Sequence, residues 1–493
     1  MISFVLCVIA LILGYFLYSK FIEKIFNASP TRITPAYTKQ DGIDYIPMKP
    51  WRIFLIQFLN IAGVGPICGA IMGAKFGTAS FLWIVLGSIF AGGVHDYLSG
   101  MISIRHDGCS LPLIHARYLG RFIKQFMNFF MVALMILVGV VFINTPALLL
   151  QSHFTPNWNI FVWIGIIFIY YLIATLLPID KIIGKIYPIF GLLLFGMAIA
   201  IVGAFIYHQP KIPELWTGFV NTEYTKSSPI FPMMFISIAC GAISGFHATQ
   251  SPLMARCMTN EKLGRPIFYG AMISEGIVAL IWAAAASYFF GPDSPVSTEG
   301  LGGPEMVGLI ANTWFPKVFS IVTVLGVVSA AITSGDTALR SGRLIIADIL
   351  RYDQKPIVKR LLIAIPLFAV TGIILYFSIA NKSGFETIWR YFGWCNQLLA
   401  VFTLWACTIY LTRKYKHTHK LYYLVVLVPS LFMTMVCATY LVVVEQHIFG
   451  IPLNIAPYIG AGITLVVLAI FMQWLTKMRK RDRLYQRSIK ASK

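Results

Sequence analysis

Apolar stretches of roughly 20 residues recur along the whole chain, and short polar or basic segments separate them. Apolar runs of about 18 residues or more are typical of membrane-spanning helices. The pattern therefore predicts an all-α polytopic membrane protein with about 13 transmembrane helices. We expect these spans at residues 2–20, 53–74, 78–103, 125–150, 159–177, 186–207, 229–255, 266–290, 318–339, 361–380, 387–411, 421–443 and 455–476.

The composition agrees with this pattern. Hydrophobic residues make up 58% of the 493 residues and charged residues only 12%, whereas a soluble domain is about 45–50% apolar and about 25% charged. The first apolar run has neither a basic segment before it nor a small-residue cleavage site after it. It therefore predicts a retained span instead of a signal peptide.

The basic residues predict how the chain is oriented. If the spans alternate and residues 20–52 are cytoplasmic, 33 of the 39 Lys and Arg residues fall in predicted inner segments. This bias follows the positive-inside rule and puts the N-terminus outside and the C-terminus in the cytoplasm. The net charge of +20 is then a topology signal and does not indicate a nucleic-acid partner. The basic tail 477–493 is expected near anionic lipid headgroups.

Two predicted spans carry residues that interrupt a helix. They are Gly63, Gly65 and Pro66 in the second span, and Gly241, Ser244, Gly245, His247 and Gln250 in the seventh. Glycine permits non-helical backbone and proline removes a hydrogen bond. An unwound segment survives in the membrane only where protein buries it or where it lines a wet cavity, so these residues are candidates for substrate binding. The alternative is that the small residues only allow close packing of helices.

The two interruptions lie five spans apart, and this spacing predicts an inverted repeat. Because five is odd, the halves 53–207 and 229–411 would run in opposite directions through the membrane. Broken helices at matching places of such halves indicate the binding site of a secondary transporter. The other expected regions are an extra helix at 1–22, a cytoplasmic segment at 23–52, two extra helices at 421–476 and the tail at 477–493.

Ionisable residues inside spans are costly and suggest function. Asp96, Glu275 and Asp336 are candidates for proton coupling, because a carboxyl group away from water can load and release a proton near neutral pH. The alternative for two of them is a structural ion pair, Asp336 with Arg340 or Asp96 with His95. His247 is a candidate for substrate binding or proton transfer, or for a hydrogen-bonded packing role.

Oxygen-bearing groups suggest a sodium site as a second possibility. The hydroxyl groups of Thr333 and Ser334, with a carbonyl near Ala62 in the second span, would suit a small hard cation. Ordinary hydrogen bonds from the two hydroxyls to their own helix are the alternative. In the eleventh span Asn396 and Gln397 are expected to link helices, with cavity lining as the second interpretation.

Several segments together resemble a known family, the carbon starvation protein A transporters. The resemblance covers roughly residues 28–410 and implies a LeuT-like fold of the amino acid–polyamine–organocation superfamily, a five-plus-five inverted repeat with broken first helices. It also implies inner-membrane uptake of peptides or pyruvate under carbon limitation, coupled to a cation. The segments are PTRITPAYTKQDGIDYIP (30–47), IAGVGPICG (61–69), AGGVHDYLSG (91–100), IACGAISGFHATQSP (238–252), YGAMISEG (269–276), SGDTALRSGRLIIADIL (334–350) and WRYFGWCNQLLA (389–400).

This chain departs from the larger members near both interruptions. Ile56 and Gln57 stand where those members have a His pair, and Gln250 to Pro252 replace a Ser/Gly/Thr run. Both changes lie beside the predicted site, so the substrate is what the resemblance predicts least. From the paired interruptions and the resemblance we expect a cation-coupled importer of a small carboxylate-bearing nutrient, with peptide or amino acid favoured over pyruvate. A membrane nutrient sensor that binds without transport is the alternative. No enzyme motif, metal site or cofactor site is predicted.

Overall fold

In the computed structural model, residues 1–177, 179–354, 356–381, 384–418, 421–444 and 451–491 are described, without the side chains of 179–186 and 483–491. All regular elements in these ranges are helices, so the prediction of an all-α membrane protein is confirmed. The basic tail is helical to Ala491. The side chains of the tail beyond Asp482 lie outside the described part. The same holds for the side chains of Lys181 and Lys185, which belong to a predicted inner segment.

Eighteen helices define the architecture within the described ranges, and two short helical turns lie at Pro35–Thr38 and Thr222–Ser227. The helices are α1 Ile2–Phe26, α2 Pro50–Ile61, α3 Val64–Ala74, α4 Ala79–Arg105, α5 Leu111–Leu119, α6 Arg121–Phe154, α7 Ile160–Leu176, α8 Ile179–His208, α9 Ile230–Ser237, α10 Ala239–Ala242, α11 Gly245–Ala255, α12 Glu261–Phe289, α13 Gly303–Trp314, α14 Lys317–Leu350, α15 Ile357–Ala380, α16 Gly384–Lys414, α17 Leu421–Val444 and α18 Ala456–Ala491.

Ten of the described helices are long and apolar enough to cross a membrane, or eleven if the bent pair α2–α3 counts as one span. Each predicted span coincides with helical structure, but in two of them the helices are too short to count as membrane-spanning by length. The span predicted at 159–177 is the 17-residue helix α7. The span predicted at 229–255 is divided among α9, α10 and α11. The total of thirteen therefore stays a prediction.

The helices differ in how deeply they are buried. In α12 and α4, 89% and 83% of the most apolar stretch is buried by other helices, against 22% in α18 and 33% in α1. The exposed residues of α1 are mostly large aliphatic and aromatic ones, such as Leu6, Leu13 and Leu17. An apolar surface of this kind suits contact with lipid. Helices α4 and α12 therefore belong to the protein interior, where the candidate site lies.

Hydrogen bonds join several of the predicted inner segments to one another. Arg105 at the end of α4 donates to Glu261 over 3.2 Å and to the Asn27 carbonyl over 2.8 Å. Lys414 at the end of α16 donates to the Phe26 carbonyl. At the other end of α1, the backbone N–H groups of Ile2 and Ser3 donate to Glu214, which follows α8. Segments predicted on the same side thus meet, while the division into repeat halves stays a prediction.

Two helices lie where the sequence predicts only loops. Helix α5 occupies the predicted inner loop between the third and fourth spans, and α13 occupies the predicted outer loop before the ninth. Both are too short to cross a membrane, at 9 and 12 residues. Helix α13 packs against α3, because Gly303 leaves room for Cys68: a Cβ at 303 would lie 2.5 Å from the Cβ of Cys68.

Candidate functional site

The first interruption is a sharp bend between α2 and α3. Helix α2 ends at Ile61, Ala62 leaves the helical region with ψ 54°, and Gly63 is extended. The two helix axes differ by 48°. Pro66 lies in the first turn of α3, where its missing N–H breaks no helical hydrogen bond. No side chain caps the N-terminus of α3. The Gly63 N–H donates to the Ile61 carbonyl, which leaves the N–H groups of Val64 and Gly65 without a side-chain acceptor.

The second interruption is longer and separates α10 from α11. Ile243 and Ser244 are extended, with φ values of −159° and −145°. The bend meets the first one directly, because a Cβ at Gly65 would lie 2.3 Å from the Sγ of Cys240. A Cβ at Gly241 would likewise lie 2.7 Å from the Cβ of Ala279 on α12. The structure thus brings the two interruptions together, as a shared site requires.

Side chains from α16 hold the second interruption in place. The Oδ1 atom of Asn396 accepts from the backbone N–H of Phe246 over 2.7 Å and from the Ser244 hydroxyl over 3.0 Å. The amide of Gln397 donates to the Ile243 carbonyl over 2.8 Å. The interpretation of these two amides as links between helices is confirmed. The N-terminus of α11 is therefore already capped, unlike that of α3.

Three ionisable side chains from three helices meet beside the second interruption. Asp96 on α4, His247 on α11 and Glu275 on α12 are all fully buried. The Nδ1 atom of His247 lies 2.9 Å from Oδ2 of Asp96 in a hydrogen bond. Its Nε2 atom lies 3.3 Å from Oε2 of Glu275, at ion-pair distance but without hydrogen-bond alignment. The imidazole therefore bridges two carboxyl groups that are far apart in the sequence.

A fourth member extends this chain of contacts. The Nδ1 atom of His95 lies 2.7 Å from the other oxygen of Asp96, so the predicted contact between these neighbours exists within the larger cluster. A π-helical turn at Ser88–Gly92 precedes both residues, and such turns are frequent at functional sites. Gly92 lets α4 approach the second interruption, since a Cβ there would lie 2.3 Å from the Ala242 carbonyl oxygen. We call His95, Asp96, His247 and Glu275 the buried relay.

Asp336 lies apart from the buried relay. It is fully buried on α14, and neither of its carboxyl oxygens has a hydrogen-bond partner. Arg340, one turn later, donates to the Ala174 carbonyl. The alternative prediction, a close ion pair between Asp336 and Arg340, is therefore not observed. Asp336 remains a candidate for proton binding, on a different helix from the three residues that meet at His247.

The hydroxyl pair on α14 faces the first interruption. The Thr333 and Ser334 hydroxyls donate to the Leu59 carbonyl over 2.9 and 3.2 Å. Thr333 also contacts the Ser329 and Ala330 carbonyls of its own helix, both at 3.0 Å. A Cβ at Gly63 would lie 2.7 Å from the Ser334 hydroxyl. These oxygens converge where the sequence predicts a sodium site, although the α2 carbonyl that the hydroxyls contact is that of Leu59.

Two amide side chains that the sequence analysis does not include among the candidate site residues lie on α2. Gln57 and Asn60 are fully buried, and all four of their amide oxygen and nitrogen atoms are without hydrogen-bond partners. They are three residues apart and so share one face of the helix. Leu55 and Phe58 contact α8, which leaves the amides on a different face. On α11, Gln250 donates to Thr249 over 2.9 Å, but its Oε1 atom has no partner.

The described residues contain no group of three or more His, Cys, Asp or Glu side chains with metal-binding geometry. The chemistry available at the two interruptions consists of proton transfer, oxygen coordination and hydrogen bonding. None of these needs a resident cofactor. The arrangement suits recognition of a small polar solute.

Comparison with known protein families shows which family the chain belongs to. The family model described as "Carbon starvation protein CstA" matches residues 1–165, 144–298 and 305–440. The chain belongs to the CstA family. This confirms the resemblance that the sequence motifs carry, and the matched residues include both interruptions and the buried relay.

Curated relatives of this CstA protein include transporters. An uncharacterized membrane protein of Haemophilus influenzae is 45% identical over 59% of this chain and 91% of its own length. The peptide transporter CstA of Helicobacter pylori is 26% identical over 81% of this chain and 76% of its own length. The pyruvate/proton symporter BtsT of Escherichia coli is 26% identical over 60% of this chain and 51% of its own length. The chain is therefore a membrane transporter, and a multi-span protein with such bacterial relatives belongs to the inner membrane.

Solved structures show the fold independently. A manganese transporter of Eremococcus coleocola aligns with a TM-score of 0.58 over 90% of this chain and 99% of its own, at 12% identity. MhsT in complex with L-phenylalanine aligns with a TM-score of 0.56 over 86% of this chain and 98% of its own, at 13% identity. At such low identity the likeness concerns the fold alone. It confirms the LeuT-like architecture with broken first helices.

Proposed function

We propose that this member of the CstA family is a cation-coupled secondary transporter. It imports a small carboxylate-bearing nutrient under carbon starvation, with a peptide or amino acid favoured and pyruvate next. The observation that carries the proposal is the buried relay, in which His247 lies between Asp96 and Glu275 beside the second interruption. The N-terminus is proposed to lie outside and the C-terminus inside, with the basic tail near anionic lipid headgroups.

Proton coupling follows from the charges of the relay. If both carboxyl groups were ionised and only one of the two imidazoles carried a proton, the relay would hold an uncompensated negative charge away from water, which is strongly unfavourable. The relay therefore favours states in which a proton neutralises the excess. Loading or releasing this proton changes the attraction between α4, α11 and α12, because each contributes one member of the Asp96–His247–Glu275 contact. A change of attraction between helices can drive the rocking that opens the site to the other side.

The substrate carboxylate is proposed to bind at the N-terminus of α3, at Gly63–Pro66. A helix N-terminus attracts anions through its dipole and its exposed N–H groups. The α3 N-terminus has no side-chain cap, whereas Asn396 already occupies the N-terminus of α11. The unpartnered amides of Gln57 and Asn60 supply donors and acceptors for further polar groups of the substrate. This favours a substrate with several polar groups, such as a peptide or an amino acid.

Sodium coupling is the second candidate, on a separate observation. The Thr333 and Ser334 hydroxyls converge on the Leu59 carbonyl beside Gly63. Hydroxyl and carbonyl oxygens are suitable ligands for a hard cation. In this version sodium would tie α14 to the first interruption while substrate binds, and its release would loosen the two helices. Asp336, two residues beyond Ser334, would then adjust the local charge.

Purified protein in liposomes tests the proposal. Labelled dialanine and labelled pyruvate are offered separately under an imposed proton gradient, an imposed sodium gradient, and neither. Accumulation under one gradient that collapses with that gradient supports the proposal and names the ion. Binding of either solute without accumulation under both gradients contradicts it and favours a nutrient sensor.

A further inference from the structure

A cavity lies away from the buried relay, at the predicted outer ends of the helices. Its volume is about 580 Å³. Parts of α3, α6, α13, α15 and α16 line it, and the segment 300–305 before and within α13 forms one wall. Cys68 of α3 is among the lining residues, so the cavity lies directly beside the half-helix that begins at the first interruption. A solute that approaches this interruption from outside would meet this cavity.

The cavity presents hydrogen-bond acceptors that have no partner. The Oδ1 atom of Asn144 on α6 and the Oγ atom of Ser378 on α15 line it without a hydrogen-bond partner. Both residues are only 3% exposed. Burying such atoms costs roughly 1–3 kcal/mol each unless a partner is supplied. The two side chains are therefore placed to receive a ligand that donates hydrogen bonds.

The charged residues of the cavity wall are acidic. Glu305 in the first turn of α13 and Glu386 near the start of α16 both line the cavity. The charge of Lys75 interacts with Glu386, but Lys75 is not among the lining residues. Its ammonium group donates to the Leu301 carbonyl over 3.2 Å and lies over the Phe290 ring. Carboxylates together with unpartnered oxygens select a cation that is also a hydrogen-bond donor.

Aromatic rings complete the wall. Trp389 and Phe385 line the cavity, with their ring centroids 6.1 Å apart. Tryptophan is the aromatic side chain that attracts an ammonium group most strongly. A metal ion fits less well, because no metal-binding cluster of three or more ligands occurs in the described part of the chain. The combination of carboxylates, a carbonyl oxygen, a hydroxyl group and an indole ring matches a primary ammonium group.

We infer that this cavity is an outer entrance site for the ammonium group of an amino acid or short peptide. The inference rests on the proposed import of a carboxylate-bearing nutrient and narrows its substrate class. A zwitterionic substrate would place its ammonium group among Glu305, Glu386 and Trp389 before its carboxylate reaches the N-terminus of α3. Pyruvate has no ammonium group, and the acidic wall repels it.

Binding to the detergent-purified protein tests the inference without transport. Isothermal titration calorimetry would use L-alaninamide, which has the ammonium group but no carboxylate, and acetate as the opposite probe. We expect wild type to bind L-alaninamide, and the double variant Glu305→Gln, Glu386→Gln to bind it about tenfold more weakly, because two attractive charges are lost. Glu299→Gln removes one negative charge from the loop before α13, at a residue that does not line this cavity, and should bind as wild type does.

The aromatic part of the site has its own variants. Trp389→Leu should weaken L-alaninamide binding about threefold, and Trp389→Phe should restore most of it, because a cation–π contact needs a ring and not only an apolar side chain. The inference is overturned if wild type does not bind L-alaninamide, or if the double glutamate variant binds it unchanged. Failure of liposome accumulation would contradict the transport proposal alone, since this binding is measured without any gradient.

Discussion

The two interruptions occupy matching places in the chain but are built differently. The first is short and bends by 48° between α2 and α3, with no side-chain cap on α3. Its close neighbours on α14 are the hydroxyls of Thr333 and Ser334, which donate to the Leu59 carbonyl. The second is longer, is capped by Asn396 and lies beside His247. The first interruption therefore has uncapped N–H donors and lies beside neutral oxygen atoms. At the second interruption the donors are hydrogen-bonded, and the neighbouring side chains are ionisable.

This difference suggests a division of labour between the two halves. An uncapped helix N-terminus, as in α3, suits an anionic substrate group. Helix α11 is capped and contributes His247 to the buried relay, so a change in the charge of the relay would act on the position of this helix. The close approach at Gly65 and Cys240 would couple the two events. Variants that affect only one interruption can therefore separate substrate recognition from ion coupling.

The largest effect is expected from His247→Ala. This change leaves Asp96 and Glu275 buried without the imidazole between them, and removing one partner of a buried ion pair costs about 3–5 kcal/mol. We expect gradient-driven uptake in liposomes to fall more than about 100-fold, because loss of a group that transfers protons typically costs about 10²–10⁴ in rate. Glu223→Gln on the exposed Thr222–Ser227 turn is a control that should transport normally. Uptake within about threefold of wild type would show that the relay does not serve coupling.

Gly65→Ala tests the contact between the two interruptions. The added Cβ would lie 2.3 Å from the Sγ of Cys240, and overpacking of this kind costs about 1–3 kcal/mol. We expect a lower melting temperature in detergent and uptake reduced by about tenfold or more. The double variant Gly65→Ala, Cys240→Gly removes the clash and should recover much of both. If the second change rescues neither quantity, the defect comes from the backbone of α3 and not from this contact.

Asn396→Ala removes the cap from α11. The Phe246 N–H and the Ser244 hydroxyl then lose their acceptor, which costs about 2 kcal/mol for buried donors. We expect reduced thermal stability together with slower uptake, because the position of His247 depends on this half-helix. Asn159→Ala is the matched control, since Asn159 caps the peripheral helix α7 through the Phe161 N–H. It should lower stability by about 1 kcal/mol and leave uptake unchanged; an equal loss of uptake would deny the second interruption a special role.

The smallest effect is expected from Ser334→Ala. Thr333 still donates to the Leu59 carbonyl, so the helix contact persists while one candidate sodium ligand is lost. If sodium binds here, the sodium concentration for half-maximal uptake should rise about tenfold, with little change in the proton dependence. Ser329→Ala, on the same helix and directed at the Gly326 and Phe190 carbonyls, should not change it. An unchanged sodium dependence in Ser334→Ala would remove the sodium candidate.

Much of the fold is readable from the sequence, because it depends on local properties. Length and apolarity locate the spans, and Gly63–Pro66 and Gly241–Gly245 mark the interruptions, since lipid does not tolerate unsatisfied backbone there. Helices α5 and α13 are missed, because helices of 9 and 12 residues lack a long apolar run. A span of 17 residues such as α7 is equally hard to count, which leaves the total of thirteen a prediction.

The site is only partly readable, because it depends on which helices are neighbours. The sequence selects Asp96, His247 and Glu275 separately, each as an ionisable residue in a span, and does not show that one imidazole joins the two carboxyl groups. It likewise places the sodium ligand at Ala62, whereas the hydroxyls contact the Leu59 carbonyl. Gln57 and Asn60 carry one local signal, two amides on one face of a membrane helix. Their lack of partners appears only in three dimensions.

Glu275→Gln in liposomes tests the coupling role of the buried relay most directly. The amide keeps the size of the side chain but cannot release a proton, so substrate exchange should persist while proton-driven accumulation disappears. The measurement compares accumulation of labelled dialanine under a proton gradient with exchange against unlabelled dialanine at equal pH. Wild type should show both, and Glu275→Gln only the exchange. Full proton-driven accumulation by Glu275→Gln would contradict the assignment of the relay to coupling.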